Sequence, residues 1–240
     1  MQEMCRLFTG TLLEAVIPFM AAVEMIHTSS LVHDDLPCMD DDMMRRGKAS
    51  TWAEYGEDIG VLTGDALMMY AFETAANAFE TSIDPDELSR IGRAMGILAR
   101  KTGVYGMIGG QTVDVELAGG PIPGDKLEFI YRLKTGALIE ASMLIGAVLG
   151  GAAEEDCKIV ESLAAKIGMA FQIQDDILDV TGSQDVTGKP SGSDEKNKKT
   201  TYVTLEGLEK AKKDVEQIST EAIEELNKLP GNNDFLEQLI

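Results

Sequence analysis

The sequence predicts an all-α fold, and three observations carry that reading. Hydrophobic residues make up 44% of the 240 residues, enough for a packed core. Aromatics are only 5%, while Ala, Leu, Ile, Met and Gly are plentiful, a mix that favours helices over a β-sandwich. No segment alternates apolar and polar residues for long, as a half-buried strand does.

The helices follow in order. Leu12 to Leu36 is apolar with few breaks and predicts a buried helix, with Pro18 expected to kink it. A second long helix is expected from about Tyr55 to Glu80. In SIDPDEL, Asp84 suits an N-cap, Pro85 the first helical position, and Glu87 stands three residues after the cap. That helix is expected to run toward Lys101 and on through GVYGMIGGQTVDVEL. The loop AGGPIPG at 118–124 is a break. Another helix begins near Asp125 and passes KTGALIEASMLIGAVLGG; the next covers Glu161 to Val180. Residues 181–200 turn polar and read as a flexible segment, followed by a charged amphipathic helix over Val203 to Leu229 and a new helix at DFLEQLI.

The net charge of −20 argues against a nucleic-acid partner, which needs a basic surface. Cys5, Cys38 and Cys157 lie far apart, without metal-ligand spacing, which suits free thiols in a reducing cytoplasm. There is no signal-peptide pattern, and the apolar run Ala137 to Ala153 contains Glu140 and is too short to span a bilayer comfortably. There is no P-loop. Gly103, Gly106, Gly109 and Gly110 follow no strand and are read as close helix packing rather than a phosphate cradle.

Two acidic motifs carry the chemistry. HDDLPCMDDDMMRRGK places Asp34, Asp35, Asp40, Asp41 and Asp42 together, with Arg45 and Arg46 beside them. Carboxylates this close need positive charge among them. Asp34 is expected to end a helix, Pro37 to break it, and the turn to return Asp40 beside Asp34. His27 lies two helical turns before Asp34 on nearly the same face. In the second motif, FQIQDDILD, Asp175 and Asp179 share a helix face with Gln172; Asp176 stands between them. Oxygen donors without clustered Cys or His point to a hard cation. Mg²⁺ is commonly held by one or two carboxylates plus substrate phosphates, and arginines bind phosphate bidentately. The reading is a diphosphate bridged to the protein by Mg²⁺. Lys134 in KTG adds charge, and Lys189, Lys198 and Lys199 sit in the 181–200 segment, which looks like a lid closing over phosphate.

These residues resemble the trans-isoprenyl diphosphate synthases, the farnesyl and geranylgeranyl diphosphate synthase family of polyprenyl synthetases. The matches are DDLPCMDDD with RRGK, Gly64–Asp65, GGQTVD at 109–114, KTG at 134–136, FQIQDDILD at 171–179 and GKP at 188–190, in the family's order over nearly the whole chain. The resemblance implies one isoprenoid synthase domain over 1–240, an antiparallel helical bundle around a cavity, usually dimeric. It implies condensation of isopentenyl diphosphate with an allylic diphosphate. By motif position, Asp34, Asp40 and Asp175 would hold three Mg²⁺, with Asp35 and Asp179 in support, and Asp176 would stand among the catalytic residues. Arg45, Lys134, Lys189 and Lys199 would hold the allylic diphosphate, and His27 and Arg46 isopentenyl diphosphate. Thr135 and Gln172 would face the developing cation.

Two features depart from the family or tune it. The family's upstream GGKRxRP-like motif has no counterpart here, so the domain is expected to be incomplete at both ends, with weakened isopentenyl diphosphate binding. The product chain is expected to grow toward Ser30 and Ser29, where small residues leave room for geranylgeranyl beside farnesyl diphosphate, with Tyr70 or Phe72 as deeper walls. A class I terpene cyclase normally carries a different second motif. A non-catalytic partner subunit usually loses its Asp motifs. A calcium module of EF-hand type needs a ligand order that is absent.

Overall fold

The computed structural model describes residues 1–182, 200–231 and 233–240. It is helical almost throughout. In chain order the helices are α1 (Gln2–Thr9), α2 (Val16–Asp34), α3 (Thr51–Tyr55), α4 (Glu57–Ala76, extended by a 3₁₀ turn Asn77–Glu80), α5 (Pro85–Thr102), α6 (Met107–Glu116) and α7 (Gly124–Ile130). A π-helical turn, Tyr131–Gly136, joins α7 to α8 (Ala137–Leu149). Then come α9 (Glu154–Thr181), α10 (Tyr202–Glu206), α11 (Leu208–Leu226) and α12 (Asp234–Leu239). Two short strands, β1 (Met44–Arg45) and β2 (Lys48–Ala49), pair antiparallel.

Helix α8 is the axis. Apart from Glu140 and Ser142 it is apolar on every side, as a helix surrounded by others tends to be, and it separates two cores. On one side Ile145 and Leu149 meet Phe19 and Ile26 of α2 and Ile91 and Leu98 of α5. On the other, Leu144 and Val148 meet Met4 of α1, Leu163 of α9 and Leu226 of α11. Gly146 lets α1 approach, since a Cβ there would meet Met4 Cβ at 3.0 Å.

Several element boundaries differ from the sequence reading. Pro18 does not kink α2, because the helix starts at Val16 and its first-turn N–H groups have no intrahelical partner to lose. Asp84 does cap α5, accepting from the Asp86 and Glu87 amides. But α5 stops at Thr102 and does not continue into α6, because Gly103 and Gly106 leave helical geometry between them. The amphipathic stretch after Val203 is broken at Gly207, whose φ of 84° is left-handed. The β1–β2 hairpin was not anticipated; its register follows from Arg46 and Gly47, both at positive φ (52° and 78°), as a two-residue primed turn requires.

Helix α2 is long and apolar enough to cross a bilayer by length and composition. About 33% of that stretch is buried in the protein, with Phe19, Ala22 and Ile26 fully so, and this part of its apolarity serves packing.

Candidate active site

Helix α2 ends at Asp34, and the chain doubles back. The Asp40 amide donates to the Asp34 carbonyl at 2.9 Å, and the Asp42 amide to the Asp35 carbonyl at 3.1 Å. The expected return of Asp40 to Asp34 is thus made by the backbone. Asp35 is buried and takes Arg45 on one oxygen, through Nε at 3.0 Å and through Nη2. That pair ties the hairpin to the end of α2 and raises the Arg45 guanidinium further, chiefly through the hydrogen bond to Asp35. Arg46, on the hairpin turn, is exposed. The Trp52 indole donates to the Asp42 carbonyl at 3.0 Å and buttresses the loop.

Helix α6 brings a second set of groups to Asp34. Gly110 packs directly on the π turn: a Cβ would collide with the Lys134 amide nitrogen. This close approach lets Gln111 Nε2 donate to Asp34 Oδ1 at 2.7 Å and Lys134 Nζ to Asp114 Oδ2 at 2.6 Å. Burial pushes the Asp34 carboxyl above its ordinary value; Asp40 and Asp114 add to that, while Lys134 and Arg45 oppose it. Burial pulls the Lys134 ammonium down, but Asp114, Asp34 and Asp40 outweigh it and the net shift is upward. The Gln111 Oε1 atom is buried without a hydrogen-bond partner among the described residues.

Helix α9 docks on the π turn through one stripe four residues apart. Gly168 meets Gly136, where a Cβ would lie 2.9 Å from the Gly136 Cα. Thr135 Oγ1 donates to Gln172 Oε1 at 3.0 Å. The Tyr131 hydroxyl donates to Asp176 Oδ2 at 2.5 Å. Gln172 and Asp176 therefore face the π turn, whereas Asp175 is exposed and Asp179 half-buried on the neighbouring stripe. The sequence reading grouped Asp176 with the site carboxylates; the structure turns it into the interior.

Below Asp34 lies a cavity of about 600 Å³, within the range of small-molecule sites. Its polar lining includes Asp34, Gln111, Lys134 and Thr135, and its apolar lining Met68, Met107, Ile108 and Leu138. Ser30 and, two turns below Asp34, His27 also line it. Ser29 does not: it is fully buried and its hydroxyl donates to the Ile26 carbonyl, so it faces the core. Tyr70 is exposed and Phe72 packs on the core, so neither forms the expected deep wall.

Thus His27, Asp34, Lys134 and Thr135 share one cavity, and Gln172 touches it through Thr135. Asp40, Arg46 and Asp175 are exposed and do not line it. Lys189 and Lys199, with the expected lid, lie outside the described residues. Gln111 and Asp114 were not singled out from the sequence. Their i,i+3 spacing in GGQTVD, which puts both on one helix face, was the available signal.

The donor set fits Mg²⁺. Asp34 feels two further carboxylates, Asp40 and Asp114, and its carboxyl is held above its ordinary value first by desolvation and then by these like charges, against the opposing pull of Lys134. Among the described residues no three acidic, His or Cys groups form a ready-made metal cage. Mg²⁺ commonly takes one or two carboxylates and completes its shell with waters and phosphate.

Comparisons with known proteins agree with this geometry. The polyprenyl synthetase family model matches residues 1–236. A chloroplastic geranylgeranyl pyrophosphate synthase of Catharanthus roseus is 46% identical over 224 residues, covering 92% of this chain and 61% of that protein. The chain thus spans about three-fifths of the length of that relative. An FPP/GFPP synthase structure from Zymomonas mobilis matches with a TM-score of 0.84 at 31% identity, over 99% of this chain and 79% of that one. A Helicobacter pylori geranyltransferase, solved with magnesium and isoprenyl diphosphate, matches with a TM-score of 0.76 at 35% identity, over 88% of this chain and 67% of that one. With a family match over residues 1–236, relatives of this identity and an all-α bundle with a carboxylate in its cavity lining, the chain belongs to the polyprenyl synthetase family.

Proposed function

We propose that the chain is a short-chain prenyltransferase, condensing isopentenyl diphosphate with an allylic diphosphate and releasing diphosphate, with farnesyl or geranylgeranyl diphosphate as product. One observation carries this reading: the half-buried carboxylate of Asp34 and the ammonium of Lys134 line the same largely apolar cavity of about 600 Å³. That is a charged head-group site on top of a hydrocarbon site.

Breaking the allylic C–O bond leaves a carbocation on the prenyl chain and negative charge on the departing diphosphate. Asp34, Asp40 and Asp175 are the proposed holders of three Mg²⁺ ions. Bound there, Mg²⁺ supplies Lewis-acid charge to the leaving group. Lys134 and Arg45 add fixed positive charge, and Lys189 and Lys199 are proposed to join them. His27 and Arg46 are proposed to hold isopentenyl diphosphate. Thr135 and Gln172, joined by a hydrogen bond of 3.0 Å, are proposed to face the developing cation. Met107, Ile108 and Leu138 exclude water from the cavity wall.

The protein is proposed to act in the cytoplasm as a homodimer. Leu62, Met69 and Tyr70 of α4 are large apolar side chains left exposed, which supports a covering second copy. The second reading is a non-catalytic partner subunit, favoured by Asp40, Arg46 and Asp175 standing outside the cavity.

The test is a Mg²⁺-dependent assay with isopentenyl diphosphate and dimethylallyl, geranyl or farnesyl diphosphate, with the prenyl product sized. A product that disappears with chelator supports the enzyme. Diphosphate binding with Mg²⁺ but no product favours the partner subunit, and neither binding nor product rejects both.

A further inference from the structure

Asp175 and Asp176 are adjacent, yet they have different surroundings. One residue along a helix turns the side chain by about 100°. That step leaves Asp175 exposed and buries Asp176. Asp176 Oδ2 accepts from the Tyr131 hydroxyl at 2.5 Å and from the Tyr202 backbone amide at 2.7 Å. Tyr131 is itself buried and opens the π turn that carries Lys134 and Thr135. Tyr202 opens α10, which is capped by Thr201.

The geometry points to Asp176 as a positioning residue rather than a Mg²⁺ ligand: it locks the π turn onto α9 so that Lys134 and Thr135 project into the cavity. A single π-helical turn is an uncommon conformation, and its neighbours must hold it. Three contacts along α9 do so. Gly168 on Gly136 sets the approach, Gln172 on Thr135 sets the middle, and Asp176 on Tyr131 fixes the start. Of the three, only the Asp176 contact joins a third element, since the same Oδ2 also accepts from the Tyr202 amide that opens α10. Removing it leaves a buried phenol hydroxyl and a backbone amide without this acceptor.

The test uses the full chain with Asp176→Ala, Asp176→Asn, Tyr131→Phe and, for contrast, Asp175→Asn. Hydrogen–deuterium exchange needs no activity. Asp176→Ala should speed exchange at residues 131–136 about tenfold or more, with α5 unchanged. Unchanged exchange in the π turn would overturn the proposal. The kinetic arm rests on the prenyltransferase reading. There, Asp176→Ala should lower kcat about tenfold, with the allylic KM and the half-saturating Mg²⁺ concentration within about twofold of the parent. Asn keeps an acceptor oxygen and should recover most of the loss. The Tyr131→Phe/Asp176→Ala pair should be no worse than Asp176→Ala alone. A rise in half-saturating Mg²⁺ matching that of Asp175→Asn would make Asp176 a ligand and sink the proposal. An inactive parent would reject the prenyltransferase reading and leave the exchange arm to decide. If Asp176→Ala does not fold, Tyr131→Phe carries the exchange test in its place.

Discussion

Thr135 of the π turn donates its hydroxyl hydrogen to Gln172 of α9 at 3.0 Å, joining the two parts of the chain that hold the second half of the site. The bond fixes both dipoles where positive charge is proposed to develop. Thr135→Val keeps the shape and removes the hydroxyl. It should lower kcat about tenfold with little change in the allylic KM, as steady-state kinetics would read. An equal rise in KM with kcat unchanged would mean that the pair serves substrate binding alone.

Gly168 and Gly136 touch backbone to backbone, so Gly168→Ala has no flexible neighbour to displace. We expect it to destabilise the protein by about 1–3 kcal/mol, read by urea denaturation, as overpacking does. A variant as stable as the parent would show that α9 can slide away from the turn without loss.

Gly64 faces the His33 ring so closely that any Cβ would collide with it, and His33 precedes Asp34. His33 Nε2 lies 3.1 Å from the Val61 carbonyl. Gly64→Ala should push the ring, shift the end of α2 and lower kcat about tenfold or more. Full activity would show that the imidazole moves without carrying the backbone of Asp34.

Asp34 gives a pH-dependent prediction. Its native carboxyl holds its proton more tightly than an unfolded carboxyl does, chiefly because it is buried. Its contribution to stability is therefore full below the ordinary Asp value and is lost as pH rises through the raised native value. At neutral pH without metal, the ionised group is a liability. Asp34→Asn should raise the melting temperature at pH 7 in chelator, the gain should fade in acid, and prenyl transfer should fall by more than about 100-fold. A lower melting temperature at pH 7 would place the Gln111 hydrogen bond above the burial penalty.

Much of this was legible in the sequence. The helical class followed from composition and the absence of alternation. Asp84 and Pro85 gave the start of α5, and Pro37 gave the end of α2 and the return to Asp40. What failed has physical causes. Periodicity cannot see that Gly103 and Gly207 interrupt apolar patterns that otherwise continue. The phase of a side chain depends on what the helix docks against, so Asp175 and Asp176 looked alike, and Ser29 looked like a cavity wall when it faces the core. The π turn left no mark in the pattern, because α7, the turn and α8 read as one continuous helix. Gln111 and Asp114 needed a partner helix before their shared face meant anything.

The chain has one tryptophan, Trp52, and its indole holds the Asp42 carbonyl in the loop that follows Asp34. Indole emission responds to nearby charge and hydration, so the protein carries a native optical reporter beside its acidic loop. Occupancy of that loop by a cation or a diphosphate can be followed by fluorescence, in real time and without a label.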